Sequence, residues 1–326
     1  MISVVIPVLN EEASLPELHR QLSEVATREG LELEMIFVND GSTDGSWSTI
    51  ERLHGNDRRV RGINFRRNFG KAAALDAGFK AARGRIVVTM DADLQDDPAE
   101  LPKFLQLLDA GNDVVSGWKR RRHDPWHKVG PSRVFNSLVS WMTGVRLHDH
   151  NCGFKAYRRE IFDEIRLYGE LHRFVPVLAA ARGWKVTETE VHHRPRTHGS
   201  SKYGIERIPK GFLDLLTVKF LTGFGQRPQH MLGMIGLIGF AVGLIGMLWL
   251  SLWWVVSRTV GGWHPVHLHE RAIFYYSLGA LIVGTQFLAV GFLAELMTAL
   301  IGAGRPPYSI AARLDSTPDP TDSPDN

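Results

Sequence analysis

The chain contains 326 residues, of which 44% are hydrophobic and 22% are charged, and its formal net charge is +3. This length accommodates a large globular domain and further segments, and the mean hydropathy of -0.11 averages a charged N-terminal part with an apolar C-terminal part. The single cysteine, Cys152, excludes an internal disulfide bond and fits a reducing compartment. The chain begins at once with a predicted strand, so no signal peptide is expected.

Three apolar runs near the N-terminus predict β-strands, at residues 2–8, 33–38 and 60–65. Ser14-Leu-Pro-Glu17 has the spacing of a capping box, so a helix is expected to begin there. The apolar residues that would share one face of this helix are Leu15, Leu18, Leu22 and Val25. Residues 39–45 predict a tight loop after the second strand, and an alanine-rich helix is expected to end near Gly84.

A fourth strand is predicted at residues 86–90, an unbroken apolar and β-branched run that suits a strand buried on both faces of a parallel sheet. Asp91 and Asp93 follow directly, Gln95 lies two residues further on, and a helix is expected near Pro98. Two carboxylates at this point can bind a hard divalent cation. A bare Asp-x-Asp is more often a solvated turn that caps the next helix. The surrounding sequence pattern must therefore decide between such a turn and a cation site.

A fifth strand is predicted at residues 113–118. Strands that alternate with helices predict a parallel sheet with helices on both faces. Ligands bind to such sheets beyond the carboxyl ends of the strands. Five charged residues fall just after predicted strand ends, namely Glu11, Asp40, Lys71, Asp91 and Asp93. Their coincidence along one edge favours a binding site over unrelated surface charges.

Two apolar runs in the C-terminal part predict transmembrane helices. Residues 231–257 contain no charged residue, and residues 272–302 contain only Glu295. Each run exceeds the ~20 residues that cross a bilayer core. Lysine and arginine are concentrated before the first run and after the second, which predicts an N-terminal domain and both termini on the cytoplasmic side of the inner membrane. Anionic lipid, rather than nucleic acid, is the expected partner of these basic residues.

The expected domains are a catalytic domain at residues 1–200, a basic loop with a membrane-surface amphipathic helix at 201–229, two membrane helices at 230–304, and a disordered cytoplasmic tail at 305–326. For the amphipathic helix, packing on the core of the domain itself is a serious alternative.

Four segments together resemble glycosyltransferase family 2 in its GT-A fold, at residues 7–11, 38–45, 68–71 and 91–98. Within this family the chain is most similar to the polyprenyl-phosphate glycosyltransferases of the dolichyl-phosphate mannose synthase type, and the similarity extends from Ile2 to about Ile310. The resemblance implies a Rossmann-like, mostly parallel α/β sheet and a nucleotide-sugar donor linked to UDP or GDP. It also implies a divalent metal, Mg or Mn, and a polyprenyl (undecaprenyl or dolichyl) phosphate acceptor in the membrane.

The same resemblance implies which residues bind the donor and the metal. Donor contacts are expected from Pro7, Asn10, Glu11, Asp40, Lys71, Asp91, Asp93 and Gln95. Of these, Asp91, Asp93 and Gln95 are expected to hold the metal.

The acceptor side departs further from the family pattern. Relatives often carry an aspartate where this chain has Gly153, so Asp149 is the substitute candidate, with a simple turn residue as the alternative. Candidate ligands of the acceptor phosphate are Arg121, Arg133, Arg173, Arg194, Arg196 and Lys202. The residues expected to act in catalysis are Asp93, Asp149, Arg196 and Lys202. A solvated surface that contacts lipid headgroups is the alternative for the basic loop, and a solvated charge run is the alternative for residues 119–123.

The expected reaction needs no general base, because an isoprenoid phosphate is already anionic at neutral pH. Direct displacement would invert the anomeric carbon. Two other functions remain open, a processive polysaccharide synthase and a non-catalytic membrane scaffold. The first usually carries a Gln-x-x-Arg-Trp signature, which residues 226–229 do not supply, and the acidic cluster is poor support for the second. A homo-oligomer is compatible with the sequence.

Overall fold

A computed structural model of the chain describes residues 1–120, 126–165, 171–194, 207–223, 228–260 and 267–302. Its N-terminal part contains a seven-stranded sheet in the order β3-β2-β1-β4-β6-β5-β7. The strands are β1 (Ile2–Val8), β2 (Leu33–Asn39), β3 (Val60–Asn64), β4 (Ile86–Thr89), β5 (Val114–Trp118), β6 (Lys155–Arg158) and β7 (Val186–Glu190). Every neighbouring pair is parallel except those of β6, which runs antiparallel to β4 and β5. The predicted mostly parallel α/β sheet is therefore confirmed.

Ten α-helices accompany the sheet within the described residues. They are α1 (Leu15–Arg28), α2 (Ser46–Asn56), α3 (Lys71–Ala81), α4 (Leu101–Asp109), α5 (Trp126–Thr143), α6 (Ile161–Glu164), α7 (Val175–Ala181), α8 (Arg207–Gly223), α9 (Pro228–Thr259) and α10 (Ala272–Gly302). Three 3-10 turns are also present, at Pro98–Glu100, Leu171–Phe174 and Leu268–Glu270.

The alternation of side chains along β1 divides the core into two layers. Val4 and Ile6 point into a cluster with α1 residues such as Leu18 and with Phe104 of α4. Val5, between them, points to the opposite face and packs with Phe79 of α3. The central strands are thus apolar on both faces, as the continuous runs in the sequence predict.

The start of α1 confirms one prediction and corrects another. The helix begins at Leu15, and the four residues predicted to share a face are buried. The capping-box hydrogen bond, however, is absent. Ser14 has a nearly helical backbone (φ -88, ψ -25), and its hydroxyl donates to the carboxylate of Glu11 (Oε2, 2.9 Å) and to the carbonyl oxygen of Glu11 (3.0 Å). The serine therefore holds the loop after β1 rather than the backbone amides of the helix.

Helix α8 packs on the N-terminal domain and also exposes apolar side chains. Its residues Leu215 and Val218 are buried against α5 and α7, where they contact a cluster that contains Val139 and Phe174. On its outer side, Leu213 is 62% exposed. The alternative in which this helix packs on the core of the domain is therefore confirmed for one face, and its position at a membrane surface stays a prediction.

Helices α9 and α10 are long and apolar enough to cross a membrane, and only 17% of the residues in the most apolar window of each are buried. They contact each other through small residues. A Cβ added to Gly284 of α10 would lie 2.2 Å from the backbone nitrogen of Phe240, and Gly236 and Gly243 of α9 approach α10 in the same way. Close approach through glycine is typical of helix pairs in membranes. The predicted tail at residues 305–326 lies outside the described residues.

Candidate active site

The loops after β1 and β2 are joined by hydrogen bonds to side chains. Asn10 has a left-handed backbone (φ 56), and its side-chain oxygen accepts from the backbone N–H of Thr43 at 2.8 Å. Its own N–H donates to the hydroxyl of Ser42 at 2.9 Å. Glu11 follows, with its N–H bound to the hydroxyl of Ser46. Pro7 lies within β1, opposite Val38 of β2. The predicted donor residues of these two loops are thus brought together.

Asp40 fixes a third loop, the one between β3 and α3. Its carboxylate accepts from the backbone N–H groups of Phe69 (2.7 Å) and Gly70 (3.0 Å), the two residues before α3. Burial raises the pKa of Asp40 above its ordinary value, and these two hydrogen bonds only partly offset the effect. Gly41 has a φ of +67, and a Cβ there would lie 2.4 Å from the backbone of Arg67, so only glycine fits this contact between the loops.

Lys71 and Asp91 form an ion pair at the carboxyl end of β4. Burial alone would raise the pKa of Asp91, but the Lys71 ammonium outweighs that effect and lowers it, so the carboxylate is ionised. Gly153 encloses the other side of this carboxylate. A Cβ added to Gly153 would lie 2.6 Å from Asp91 Oδ2, and its carbonyl oxygen accepts from Thr89 Oγ1 at 2.7 Å. A side chain at Gly153 would therefore require the Asp91 carboxylate to move.

Asp93 and Gln95 lie in a turn that follows directly. Leu94 has a left-handed backbone (φ 62), which lets the backbone N–H of Gln95 donate to Asp93 Oδ1 at 3.2 Å. The carbonyl oxygen of Gln95 accepts from the N–H of Arg194 at 2.9 Å. The turn ends at Asp97, whose side chain accepts from Ala99 N–H and so begins the predicted helical segment.

The donor set after β4 fits a hard divalent cation. It consists of two carboxylates, Asp91 and Asp93, and the amide of Gln95, all of them oxygen ligands. Within the part of the chain that the structure describes, no group of three or more His, Cys, Asp or Glu side chains is arranged to hold a metal ion. Mg²⁺ is commonly bound by one or two carboxylates with substrate phosphates and water, so a pair of carboxylates is sufficient for a metal that arrives with a diphosphate.

Asp149 lies in a buried loop before β6 and is 1% exposed. Its Oδ1 accepts from the N–H of Asn151 at 3.1 Å. Nearby, Lys155 is buried, and its ammonium donates to the carbonyl oxygen of His150 at 3.0 Å. Burial lowers the pKa of Lys155 to about 8, and the Asp149 carboxylate opposes that change. The position of Asp149 inside this loop is known, while its part in catalysis stays a prediction.

The predicted ligands of the acceptor phosphate are only partly described. Arg173 is partly buried in the 3-10 turn Leu171–Phe174. The guanidinium of Arg194 is bound by Asp97 Oδ2 (2.5 Å) and by Gln21 Oε1 (2.9 Å), so it ties the start of the basic loop to the domain. The predictions for Arg121, Arg196 and Lys202 lie outside the described residues, as does the side chain of Arg133 on α5.

Two residues at the site were not singled out as site residues in the sequence. Lys119 follows β5, and its Nζ lies 2.8 Å from Oδ1 of Asp96, which is fully buried. His172 belongs to the 3-10 turn that packs against α3, and its imidazole lies within the electrostatic reach of Lys71 and Asp91. Lys119 begins a run of basic residues, and nothing in the sequence separates this mostly buried member from its exposed neighbour Arg120.

Residues 3–166 match the family described as Glycosyl transferase family 2. The chain belongs to glycosyltransferase family 2. It is 34% identical over 302 residues to the dodecaprenyl-phosphate galacturonate synthase of Rhizobium johnstonii, covering 91% of this chain and 87% of that one. It is 33% identical over 326 residues to the undecaprenyl-phosphate 4-deoxy-4-formamido-L-arabinose transferase of Aeromonas hydrophila, covering 98% and 96%. The predicted resemblance and enzyme class are confirmed: the chain is a glycosyltransferase.

Solved structures support the fold. The glucosyl-3-phosphoglycerate synthase of Mycobacterium tuberculosis, in complex with Mn²⁺, UDP and phosphoglyceric acid, has a TM-score of 0.54 at 19% identity, covering 68% of this chain and 78% of that one. The same synthase with phosphoglyceric acid alone has a TM-score of 0.53 at 20% identity, covering 68% and 79%. At this level of identity the likeness supports the GT-A fold alone.

Proposed function

We propose that this glycosyltransferase transfers one sugar from a nucleotide-sugar to a polyprenyl phosphate in the membrane. The observation that carries the proposal is the union, in one chain, of an acidic cluster at the carboxyl edge of the sheet with two helices apolar enough to cross a membrane. Relatives named for dodecaprenyl or undecaprenyl phosphate align with 91% and 98% of the chain. Coverage of this extent includes the apolar helices, which supports the same class of acceptor.

For the donor we propose a UDP-sugar, with a GDP-sugar as the alternative. The joined loops around Asn10 and Asp40 would receive the nucleoside, and the Lys71–Asp91 pair would lie towards the diphosphate and the sugar. A protein of the same fold has been crystallised with Mn²⁺ and UDP-glucose, which supports both a UDP-linked donor and a divalent cation.

Asp91, Asp93 and Gln95 would hold the cation, and when bound it would neutralise the diphosphate leaving group. Lys71 adds a fixed positive charge beside Asp91. The acceptor phosphate is itself an anion, so the residues of this site need to position it and balance its charge rather than remove a proton. Direct attack on the anomeric carbon then gives inversion. For the balancing charge we propose Arg173, with Arg196 and Lys202 of the basic loop.

We further propose that the domain rests on the cytoplasmic face of the inner membrane. Helices α5 and α8 share one core cluster, and their outer faces expose Val134 (71%), Trp141 (81%) and Leu213 (62%). An exposed apolar surface of this kind suits the interfacial region of a membrane. It would bring the site to the depth at which a lipid phosphate is presented.

The test uses the full-length protein with undecaprenyl phosphate and a panel of UDP-glucose, UDP-galacturonic acid, UDP-N-acetylglucosamine and GDP-mannose. Mass spectrometry should detect the lipid with one added sugar. A chelator should abolish its formation, and Mg²⁺ or Mn²⁺ should restore it. Asp93→Ala should remove transfer and leave the fold intact, because it deletes one hard ligand. The matched control is Asp109→Ala, an exposed aspartate at the end of α4.

Three results would contradict the proposal. If the rate of donor hydrolysis does not change when the lipid is added, a polyprenyl phosphate acceptor is excluded. Products with many sugars on each lipid would identify a processive synthase. Near-normal transfer by Asp93→Ala in the presence of a chelator would exclude the metal. Nuclear magnetic resonance of the product should give the anomeric configuration opposite to that of the donor, and retention would exclude direct displacement.

A further inference from the structure

Residues 191–194, which follow β7, lie beside the turn after β4 that carries two of the candidate metal ligands. His193 pairs with Asp96 in an antiparallel bridge. The backbone N–H of Arg194 donates to the carbonyl oxygen of Gln95 at 2.9 Å. Gln95, one of those ligands, is therefore held by a hydrogen bond that comes from outside the turn.

The guanidinium of Arg194 ties the same turn to helix α1. It binds Asp97 Oδ2 at 2.5 Å and Gln21 Oε1, on α1, at 2.9 Å. Its planar fork of N–H groups can donate to both oxygens at once, with a direction that a lysine ammonium does not define. Asp97 closes the turn, because its Oδ1 accepts from the N–H of Ala99 at 2.9 Å. One side chain thus connects the end of the turn to a helix of the core.

The turn needs such support because its backbone is strained. Leu94 has a φ of 62, a left-handed conformation that costs free energy for any residue other than glycine and is kept only where neighbouring contacts determine it. This conformation sets the direction of Asp93, whose Oδ1 accepts from the N–H of Gln95 at 3.2 Å. The orientation of these two metal ligands therefore depends on what holds the turn at Gln95 and at Asp97.

The acceptor phosphate is the other ligand to consider for Arg194, and the contacts of the guanidinium count against it. The side chain of Arg194 is 34% exposed, and that of Asp97 is 16% exposed. A phosphate would have to draw the guanidinium away from this carboxylate, which would then lie mostly buried without its cation, at a cost in free energy. Arg194 is therefore better suited to orient the turn than to bind a substrate.

We infer that Arg194 is a positioning residue of the candidate metal site, which holds the turn of Asp93 and Gln95 in the geometry that binds a divalent cation. Groups that hold the ligands of a metal in place contribute to its affinity without touching it. The inference rests on the proposed function, since it needs the cation and the nucleotide that arrives with it. It extends that function by assigning to cation binding a residue that acts through Gln95 and Asp97.

The test measures cation affinity directly, on the full-length protein in detergent with saturating UDP. The electron paramagnetic resonance signal of free Mn²⁺ gives the bound fraction during a titration. Arg194→Met, which keeps the aliphatic stem and removes the guanidinium, should weaken Mn²⁺ binding about tenfold. Arg194→Lys keeps a positive charge opposite Asp97 and should recover part of the loss.

The matched control is Arg182→Met. Arg182 forms a comparably buried ion pair with Glu164 of α6 at 2.8 Å. Loss of either ion pair should lower the melting temperature to a similar extent, but only Arg194→Met should lower the affinity for Mn²⁺. Different cation affinities at similar stability separate a positioning role from a general effect on the fold.

Asp97→Asn tests the same contact from its other side. It keeps an oxygen that can accept from the N–H of Ala99 and removes the charge that binds Arg194. Asp97→Asn should weaken Mn²⁺ binding about as much as Arg194→Met, and the double variant should lose little more, because both changes break one interaction. If Arg194→Met does not fold, Asp97→Asn decides alone, and wild-type affinity for Mn²⁺ in that variant would contradict the inference.

Turnover gives a second readout. At saturating Mn²⁺, Arg194→Met should transfer sugar to undecaprenyl phosphate with a kcat within about twofold of the wild-type value, because the cation then restores the site. The Mn²⁺ concentration that gives half of the maximal rate should rise about tenfold. The apparent KM for the lipid should change by less than about twofold.

Unchanged affinity for Mn²⁺ in Arg194→Met would overturn the inference. A raised KM for the lipid at saturating Mn²⁺, with cation affinity unchanged, would assign Arg194 to the acceptor phosphate instead. In both cases the cation-dependent transfer by the wild-type protein would still stand. A wild-type protein that binds no Mn²⁺ in the presence of UDP would contradict the proposed cation and the inference with it.

Discussion

Lys119 and Asp96 form a buried ion pair behind the turn that carries Asp93. The side chain of Asp96 is 0% exposed and that of Lys119 is 14% exposed. Burial would lower the pKa of Lys119, yet Asp96 outweighs that effect and raises it above its ordinary value. The pair joins the end of β5 to the loop after β4, so it holds the candidate metal ligands against the sheet.

Replacing Lys119 with methionine should therefore destabilise the protein strongly. The change keeps the aliphatic stem but leaves a buried carboxylate without its cation, which costs about 3–5 kcal/mol in comparable cases. Thermal unfolding of the full-length protein in detergent measures the loss. The control is Lys80→Met on α3, whose partner Asp76 is at the surface and whose loss should cost less than about 1 kcal/mol. Similar melting temperatures for the two variants would show that the buried Asp96 carboxylate does not need the Lys119 ammonium for stability.

His150 gives the loop of Asp149 a pH-dependent stability. It is 0% exposed, and its Nε2 lies 3.1 Å from the hydroxyl of Ser140. Burial and the charge of Lys155 lower the pKa of His150 to about 4, against the opposing effect of Asp149. Because the pKa is lower in the folded state than in the unfolded state, the folded protein resists protonation. The stabilisation is complete above the unfolded pKa of 6.5 and is lost as the pH falls towards 4.

Between about pH 7 and about pH 5, protonation of His150 in the unfolded state should lower the free energy of unfolding by about 2 kcal/mol. His150→Gln cannot be protonated, so its melting temperature should fall less over the same range. The measurement compares the two pH profiles, since other groups titrate equally in both proteins. Parallel profiles would mean that His150 is accessible to protons in the folded state.

At the scale of elements, the sequence predicts best what depends on local pattern. The five strands were predicted within about two residues. For β1, β2 and β4 the reason is that burial on both faces requires a mainly apolar run, whereas β3 is mixed in composition and partly exposed. Strands β6 and β7 were missed. Strand β6 has only four residues and begins at the charged Lys155, and β7 is an edge strand in which apolar and acidic residues are mixed.

In the candidate site, too, the sequence predicts the residues whose place depends on local pattern and misses those whose place depends on distant contacts. Asp91 and Asp93 were predicted because they follow a strand directly, and the ion pair of Asp91 with Lys71 agrees with their expected closeness. The burial of Asp96 could not be predicted, because it comes from a contact with Lys119, after β5, that is distant in sequence. The predicted roles of Asp149 and the arginines remain predictions.

The contact between α9 and α10 depends on glycine at Gly284. A larger residue there would collide with the backbone at Phe240, which a Cβ would approach to 2.2 Å. Gly284→Leu should lower the stability of the helix pair by about 1–3 kcal/mol through overpacking. Gly279→Leu, on the same helix with no atom within 4 Å of an added Cβ, should be neutral or stabilising. Helix content is measured by circular dichroism during heating in detergent, and Gly284→Leu should lose helix at a lower temperature than Gly279→Leu. A stable Gly284→Leu variant would show that the helices do not pack through this surface.

At the scale of the whole molecule, the N-terminal domain and the two apolar helices have separate cores. The domain buries its own clusters on both faces of the sheet and includes α8 through Leu215 and Val218. The helix pair contacts itself extensively through its glycines. In the proposed function the helices therefore contribute location, by raising the effective concentration of the site at the membrane, and contribute nothing to the chemistry.

A chain that ends at Gly225 should accordingly fold, because it retains the sheet and α8, and its affinity for UDP should match that of the full-length protein within about twofold. Its transfer to undecaprenyl phosphate in lipid vesicles should fall about a hundredfold or more, since tethering typically contributes ~10²–10⁴ in effective affinity. Farnesyl phosphate in solution is the control acceptor, and both proteins should use it at similar rates. Equal rates on vesicles would show that α5 and α8 alone hold the domain to the membrane. Loss of UDP binding would show instead that the apolar helices are part of the fold of the site.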